Sequence, residues 1–309
     1  MENKQPILSI CIPIYNRIAF LKCHLEQFMK CRELFDEKVH LFISDNCSND
    51  DLQSLVNEYT SKGLNIEYSR NLENIGADGN FIKCFNSAKG KYIWLLGSDD
   101  IPVDGFIERL VDILESHDYG YIFLNHLCDD KQVIEYNDAA DILQKINIWI
   151  TYISGNIFKT AFVKNVRGED YMGTYLVQVP YFLEGITSGK TNAVFNNNWI
   201  QHGNDAANNG GYNFFKVFVD NLLANVYEKV ENHQINNDCY EQFKKSIYCN
   251  FIRRFVDGLM ICRNKVMRQN YDTKDGLKIL MKHYGCKPYF YLWTLRTVAS
   301  RFYYKLKRS

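Results

Sequence analysis

The stretch KYIWLLGSDDI, residues 91–101, decides the fold. Tyr92 to Gly97 form an unbroken apolar run, the pattern of a strand covered on both faces. Directly after it, with only Ser98 between, stand two adjacent carboxylates, Asp99 and Asp100. The same design recurs upstream. ILSICIPI (7–14) is a continuous apolar run that ends at Tyr15, Asn16 and Arg17. VHLFISD (39–45) ends on Asp45. Segments with helical spacing separate these runs, at 18–31, 49–63 and 77–89. A short strand is expected over 64–70, a helix capped by Asp104 over 105–116, and a strand over 119–127. Strands alternating with helices through short connections specify a mostly parallel sheet with helices on both faces, an α/β architecture. Ligands of such sheets bind beyond the carboxyl ends of the strands. Asn16, Arg17, Asp45, Asn46, Asp99 and Asp100 all fall there, so one crevice should collect them.

After residue 130 the pattern loosens. Helices are expected over 138–147 and 174–188, with an irregular segment carrying Gly168, Glu169 and Asp170 before the second. A short strand over 192–196 precedes a loop dense in Asn and Gly. From Phe214 onward the spacing is helical, over 214–232, 238–268, 274–284 and 289–307. The Asn-Gly-Gly cluster near 210 divides the chain into a ligand-binding domain, 1–210, and a helical region, 211–309.

Bulk composition narrows the class. Hydrophobic residues make up 46% of the 309, enough for a sizeable core, and 36 basic residues balance 36 acidic ones. A neutral chain argues against a nucleic-acid binder that relies on global charge. The charges are uneven, however: residues 276–309 hold eight Lys or Arg and no acid, and the rest carries a formal −8. Together with the aromatics of PYFYLWTLRTVASRFYYKLKRS, this cationic end suits the headgroup layer of an anionic membrane, or a terminal helix with a basic tail in water. The ten cysteines show no paired or metal-finger spacing. The N-terminal residues lack a signal-peptide pattern, and no run approaches the ~20 apolar residues of a membrane span. The expectation is a reduced, cytoplasmic protein, peripheral on the membrane if the basic tail docks there.

Each strand end has a chemical reading and a plainer one. Asp99 and Asp100 can hold a hard divalent cation whose shell is completed by substrate phosphates, or cap the next helix. Asp45 can accept from a nucleobase edge; Ser48, Asn49 and Asp50 are enough to cap the following helix without it. Pro13 and Tyr15 can wall a flat base, and Asn16 and Arg17 can address phosphate or ribose.

LSICIPIYNR, FISDNCSND and NLENIGADGNFIKCFNSAKGKYIWLLGSDD, in that order and spacing, resemble the family-2 glycosyltransferases, in particular abequosyltransferase-like members of surface polysaccharide (capsule or O-antigen) synthesis. The resemblance covers residues 7–127. It implies a GT-A fold, a nucleotide-diphosphate sugar as donor, and a glycan or lipid-linked oligosaccharide as acceptor, with transfer of a hexose or deoxyhexose. Pro13, Tyr15 and Asp45 then match nucleoside-binding positions, Asn74 and Gly76 match a segment near the diphosphate and sugar, and Ser98 lies beside them. Asp99 matches the last carboxylate of the metal motif, so Mn²⁺ or Mg²⁺ is the implied cofactor, with Asp100 adjacent and His202 of WIQHGND a further candidate ligand. Three departures stand out. Gly97 replaces the first carboxylate of that motif, and Ser98 stands where the nearest relatives often show another Asp. Val177 and Gln178 occupy the place of the Glu-Asp pair whose Asp is the catalytic base, leaving Asp170 and Glu169 just upstream, or Glu184 further on, as candidates for that role. A catalytically inactive sugar-nucleotide binder or scaffold is the alternative. A nucleotidyltransferase is disfavoured because PIYNRIAF has no glycine-rich phosphate loop.

Overall fold

The structure is a computed structural model and describes residues 5–202, 210–261 and 264–306. Two compact units divide the chain, residues 1–205 and 206–309.

The first unit is built on an eight-stranded sheet. In chain order its elements begin with β1 (Leu8–Ile14), α1 (Ile18–Met29), α2 (Leu34–Glu37), β2 (Val39–Asp45), α3 (Leu52–Ser61), β3 (Glu67–Arg70), α4 (Gly76–Ser87) and β4 (Tyr92–Leu95). Then follow β5 (Asp100–Pro102), α5 (Phe106–Ser116), β6 (Tyr121–Asn125), β7 (Val133–Tyr136), α6 (Ala139–Ile146), β8 (Asn156–Lys159), α7 (Gln178–Ser188), β9 (Asn192–Asn196) and β10 (Ile200–His202). The spatial order is β3-β2-β1-β4-β8-β6-β9-β7. The β1–β2, β2–β3, β1–β4 and β6–β9 pairs are parallel; β8 runs antiparallel between β4 and β6, and β7 antiparallel to β9. β5 and β10 form a separate antiparallel ribbon.

Period-2 alternation distributes the strand residues between two cores. Leu8, Ile10, Ile12, Leu41, Ile43 and Trp94 pack with Leu21, Leu25 and Phe28 of α1, Val56 of α3 and Leu110 of α5. On the opposite face the Cys11 thiol meets the Cys84 carbonyl of α4, and Phe85 of α4 packs on Phe158 of β8 and Tyr181 of α7. Helices therefore cover both faces, as the continuous apolar runs require.

Several boundaries differ from the sequence reading, each for a local reason. Asp104 does not cap α5; it pairs with Lys30 at 2.7 Å, and Gly105 at φ 74° leads the helix instead. α3 is capped by Asp51, which accepts from Ser54 N, rather than by the three residues before it. α7 starts at Gln178 and not 174, because the Asp78 carboxylate takes the Gly173 and Tyr175 N–H groups and holds that stretch as a loop. β7 and β8 have no counterpart in the sequence reading.

The second unit is helical, with segments Leu222–Glu231, Asn237–Ile247, Gly276–Tyr284 and Pro288–Leu306, and a two-residue parallel pair, Tyr212–Asn213 with Tyr271–Asp272. Among the described residues no helix is long and apolar enough to cross a membrane.

Candidate active site

The parallel register puts the ends of β1, β2 and β4 side by side. Ile14 stands opposite Asp45, and beyond the β4 ladder Leu96 N still donates to Cys11 O. Past this point the chains turn. Asn16 adopts the left-handed conformation at φ 52°, its N–H donates to Ser48 Oγ, and its own Oδ1 accepts from Asn49 N. Asp50 reaches across to accept from Ile18 N and so caps α1 from the neighbouring loop. Asn16 and Ser48 thus bind the two strand-end loops to each other. Pro13 lies just beneath this turn, half-buried, and Tyr15 is exposed.

Asp45 has no solvent exposure. Its Oδ1 accepts from Ser48 N at 2.8 Å; its Oδ2 accepts from Tyr68 Oη and from the Arg70 guanidinium, each at 2.7 Å. Burial by itself raises the carboxyl, but the hydrogen bonds from Ser48, Tyr68 and Arg70 outweigh it and hold Asp45 below its ordinary value. The carboxylate already accepts three hydrogen bonds within the fold.

A ladder of carboxamides continues from Asp45. Asn46 Nδ2 donates to Asn74 Oδ1 and Gly76 O, while its Oδ1 accepts from Asn71 Nδ2 and Ile75 N. Asn74 Oδ1 also accepts from Gly76 N at the start of α4, where Gly76 has φ 75°. Asn74 and Gly76 are therefore bound to the end of β2 through Asn46.

At the end of β4, Arg17 Nη1 lies 2.8 Å from Ser98 Oγ and 3.3 Å from Asp99 Oδ1. The Asp99 side chain is 37% exposed, whereas Asp100 is buried. Beneath the turn His24 of α1 is wholly buried, and its Nε2 donates to Ser98 O at 3.1 Å. Burial drives the imidazole down to about 4, so it supports the turn as a neutral donor. Position 24 shares the apolar face with Leu21, Leu25 and Phe28, and this core-facing polar residue was a signal in the sequence. From the other side Ser154 Oγ accepts from Gly97 N at 2.8 Å, and Ser154 O accepts from Trp94 Nε1 at 2.7 Å. Tyr152 stands two residues before Ser154 on this segment; burial first, and then the negative charge of Asp100, push its phenol well up. No sequence signal marked Ser154 or Tyr152.

These contacts explain the glycine at 97. A Cβ there would lie 3.0 Å from Ser154 Oγ and 3.3 Å from Asp100 Oδ2. A side chain at 97 would therefore press on the serine that braces the turn. Gly97→Asp is expected to lower stability by about 1–3 kcal/mol through overpacking and like charge beside Asp100. A urea midpoint equal to wild type would show room for a second carboxylate.

The backbone of His202 stands opposite Asp100 in the β5–β10 ribbon; its side chain lies outside the described residues. Glu169 and Asp170 occupy an exposed turn, 168–171, ahead of α7, and Asp170 faces Arg167 at 3.8 Å. The structure shows no contact between this pair and Asp99 or Asp100 among the described residues. Glu184 is buried, accepts from Asn165 Nδ2 and Ser188 Oγ, and belongs to the packing of α7. Gln178 also is buried, its Nε2 donating to Thr151 O. Among the described residues no three His, Cys, Asp or Glu side chains converge as a metal cage. What the turn offers a cation is one accessible carboxylate, Asp99, which fits a hard ion only when phosphate oxygens and water complete the shell.

A mostly parallel sheet with helices on both faces and acids just past the end of β4 is an α/β arrangement of the GT-A kind. Residues 9–172 match the model of glycosyl transferase family 2, and the chain belongs to that family. It is 33% identical over 171 residues to the abequosyltransferase RfbV of Salmonella typhimurium, covering 55% of this chain and 48% of that protein. The chain thus spans about half the length of this curated relative. Among solved structures, S. aureus TarS 1–349 in complex with UDP-GlcNAc superposes with a TM-score of 0.60 at 15% identity, covering 85% of this chain and 77% of TarS 1–349. The mannosyltransferase PcManGT from Pyrobaculum calidifontis, in complex with GDP-Man and Mn²⁺, gives 0.54 at 10% identity, covering 97% and 87%.

Proposed function

We propose that this glycosyltransferase takes its sugar from a nucleotide-diphosphate donor and passes it to a hydroxyl of a surface polysaccharide or its lipid-linked oligosaccharide precursor. The observation that carries the reading is the junction of three strand ends, where Asp45, the Asn46–Asn74 ladder and the Arg17–Ser98–Asp99 cluster stand along one edge. Pro13 and Tyr15 wall the base, Asp45 and Asn16 address the nucleoside, and Asn74, Gly76 and Arg17 lie toward the diphosphate. Asp99, with Asp100 and His202 as further candidates, would hold a divalent ion, Mn²⁺ or Mg²⁺, which would supply charge to offset that of the departing diphosphate. The acceptor oxygen bonds to the anomeric carbon as the bond to the diphosphate breaks, giving inversion; a carboxylate, Asp170 or Glu169, takes the acceptor proton. Support for the last role is position only, since both residues lie in the loop that enters α7.

The region after 210 would serve the acceptor or a membrane surface. In its final helix Leu292 and Leu295 are 68% and 66% exposed while Phe290 is buried, and Arg253 and Arg296 flank Trp293. An apolar face beside arginines supports peripheral contact with anionic lipid.

A thermal-shift panel of UDP, GDP, CDP and TDP, with and without Mn²⁺, tests the donor site. At about 100 times its Kd, one nucleotide should add about 2.7 kcal/mol of stability. The reading fails if none of the four moves the midpoint at millimolar concentration.

A further inference from the structure

Along the sheet the proposed nucleoside end lies at β2 and β1 and the carboxylate turn at β4. The next strands, β8 and β6, end in a feature that no role has yet absorbed. His126 directly follows β6, and Trp149 and Tyr152 stand on the turn that leads into β8. Their rings form a corner. His126 and Trp149 are 5.3 Å apart at 86°, His126 and Tyr152 5.6 Å at 63°, and Trp149 and Tyr152 6.1 Å at 73°. Trp149 remains 36% exposed. The corner is fastened to the carboxylate turn rather than merely near it. Tyr152 faces Asp100, Ser154 holds Gly97 N, and Tyr152 packs so closely over Gly155 that a Cβ there would lie 2.8 Å from its ring.

The same turn carries unmet hydrogen-bonding capacity. Asn147 sits at φ 50°, is buried, and neither atom of its carboxamide has a partner among the described residues. Gln178, tied to Thr151 O, has a buried Oε1 without a donor. Buried polar atoms are rarely left so, and strain in the same turn marks a conformation short of its hydrogen-bonded optimum. An exposed aromatic face beside the carboxylate turn matches one kind of ligand: a pyranose, whose apolar C–H face can stack on the Trp149 ring.

We infer that the His126–Trp149–Tyr152 corner is the subsite for the acceptor sugar, with Trp149 as its stacking face. Its place on the far side of Asp99–Asp100 from the nucleoside end favours the acceptor over the donor sugar. The inference rests on the glycosyl-transfer reading above, and its test separates the two.

The probes are methyl α-glycosides of glucose, galactose, mannose and rhamnose, followed by saturation-transfer-difference NMR on the full chain with the stabilising nucleotide present. At least one glycoside should receive saturation at its ring C–H protons. Trp149→Ala should weaken it roughly tenfold, and Trp149→Phe should keep most of it. Both variants should retain the nucleotide thermal shift of wild type. If the alanine variant does not melt cooperatively, Trp149→Leu, which keeps bulk without the π face, makes the same comparison. The inference is overturned if no glycoside contacts a nucleotide-bound wild type, or if Trp149→Ala or Trp149→Leu binds the glycoside as wild type does. Loss of the nucleotide shift in a cooperatively melting Trp149 variant would also overturn it, by moving the corner to the donor side. A wild type that binds no nucleotide would instead strike down the donor-site reading.

Discussion

Asp99→Ala is expected to reduce turnover by about 10²–10³-fold while leaving the unliganded protein within ~0.5 kcal/mol of wild-type stability. The two halves of this expectation have separate causes. Asp99 is the accessible carboxylate of the β4 turn, and in the proposed reading its loss acts on the transition state, where the departing diphosphate gathers charge. Its ion pair with Arg17, at 3.3 Å, is partly exposed on both sides and contributes little to folding. The turn itself is held by His24, Ser154 and the backbone of β5, none of which needs the Asp99 side chain. The measurement is release of nucleoside diphosphate from the sugar nucleotide that the thermal-shift panel selects, beside urea melts of both proteins. Any increment that Mn²⁺ adds to the nucleotide shift should vanish in the variant. Turnover within threefold of wild type would remove Asp99 from the reaction.

Asp45→Asn should behave in the opposite way, with a large effect on stability before any ligand is added. The asparagine keeps the shape but meets the Tyr68 hydroxyl, the Arg70 guanidinium and the Ser48 N–H with a neutral group. Weakening a buried charged hydrogen-bond set costs about 2–4 kcal/mol; Arg70, 44% exposed, can recover some water and draws the value toward the lower end. The pH dependence separates charge from shape. Because the folded carboxyl lies below its ordinary value of 3.8, its contribution is complete above that pH and is lost as pH falls through the folded value. The gap between wild type and Asp45→Asn should therefore be constant near neutrality and narrow below about pH 3.8. A gap that stays constant into strong acid would mean that Asp45 supports the fold through its shape alone.

The sequence by itself determined the parts of this protein that follow from local periodicity. Continuous apolar runs at 7–14, 39–45 and 92–97, separated by helical spacing, read as two-sided strands. The helices between them force parallel pairing, and parallel pairing brings Asn16, Arg17, Asp45 and Asp99 to one edge. Ordered motifs over 7–127 were enough to identify the family. The tertiary structure alone decided how each of those side chains is engaged. Asp45 proved to be held by Tyr68 and Arg70, 23 and 25 residues away. Gly97 owes its lack of a side chain to Ser154, 57 residues on. β8, which carries the aromatic corner to the carboxylate turn, enters the sheet antiparallel between two strands distant in sequence. A strand's existence is encoded in its own residues, so it can be read one segment at a time. A hydrogen-bond partner, a braced turn or a ring corner exists only after loops from separate strands have met, and nothing in the spacing along the chain records which of them will.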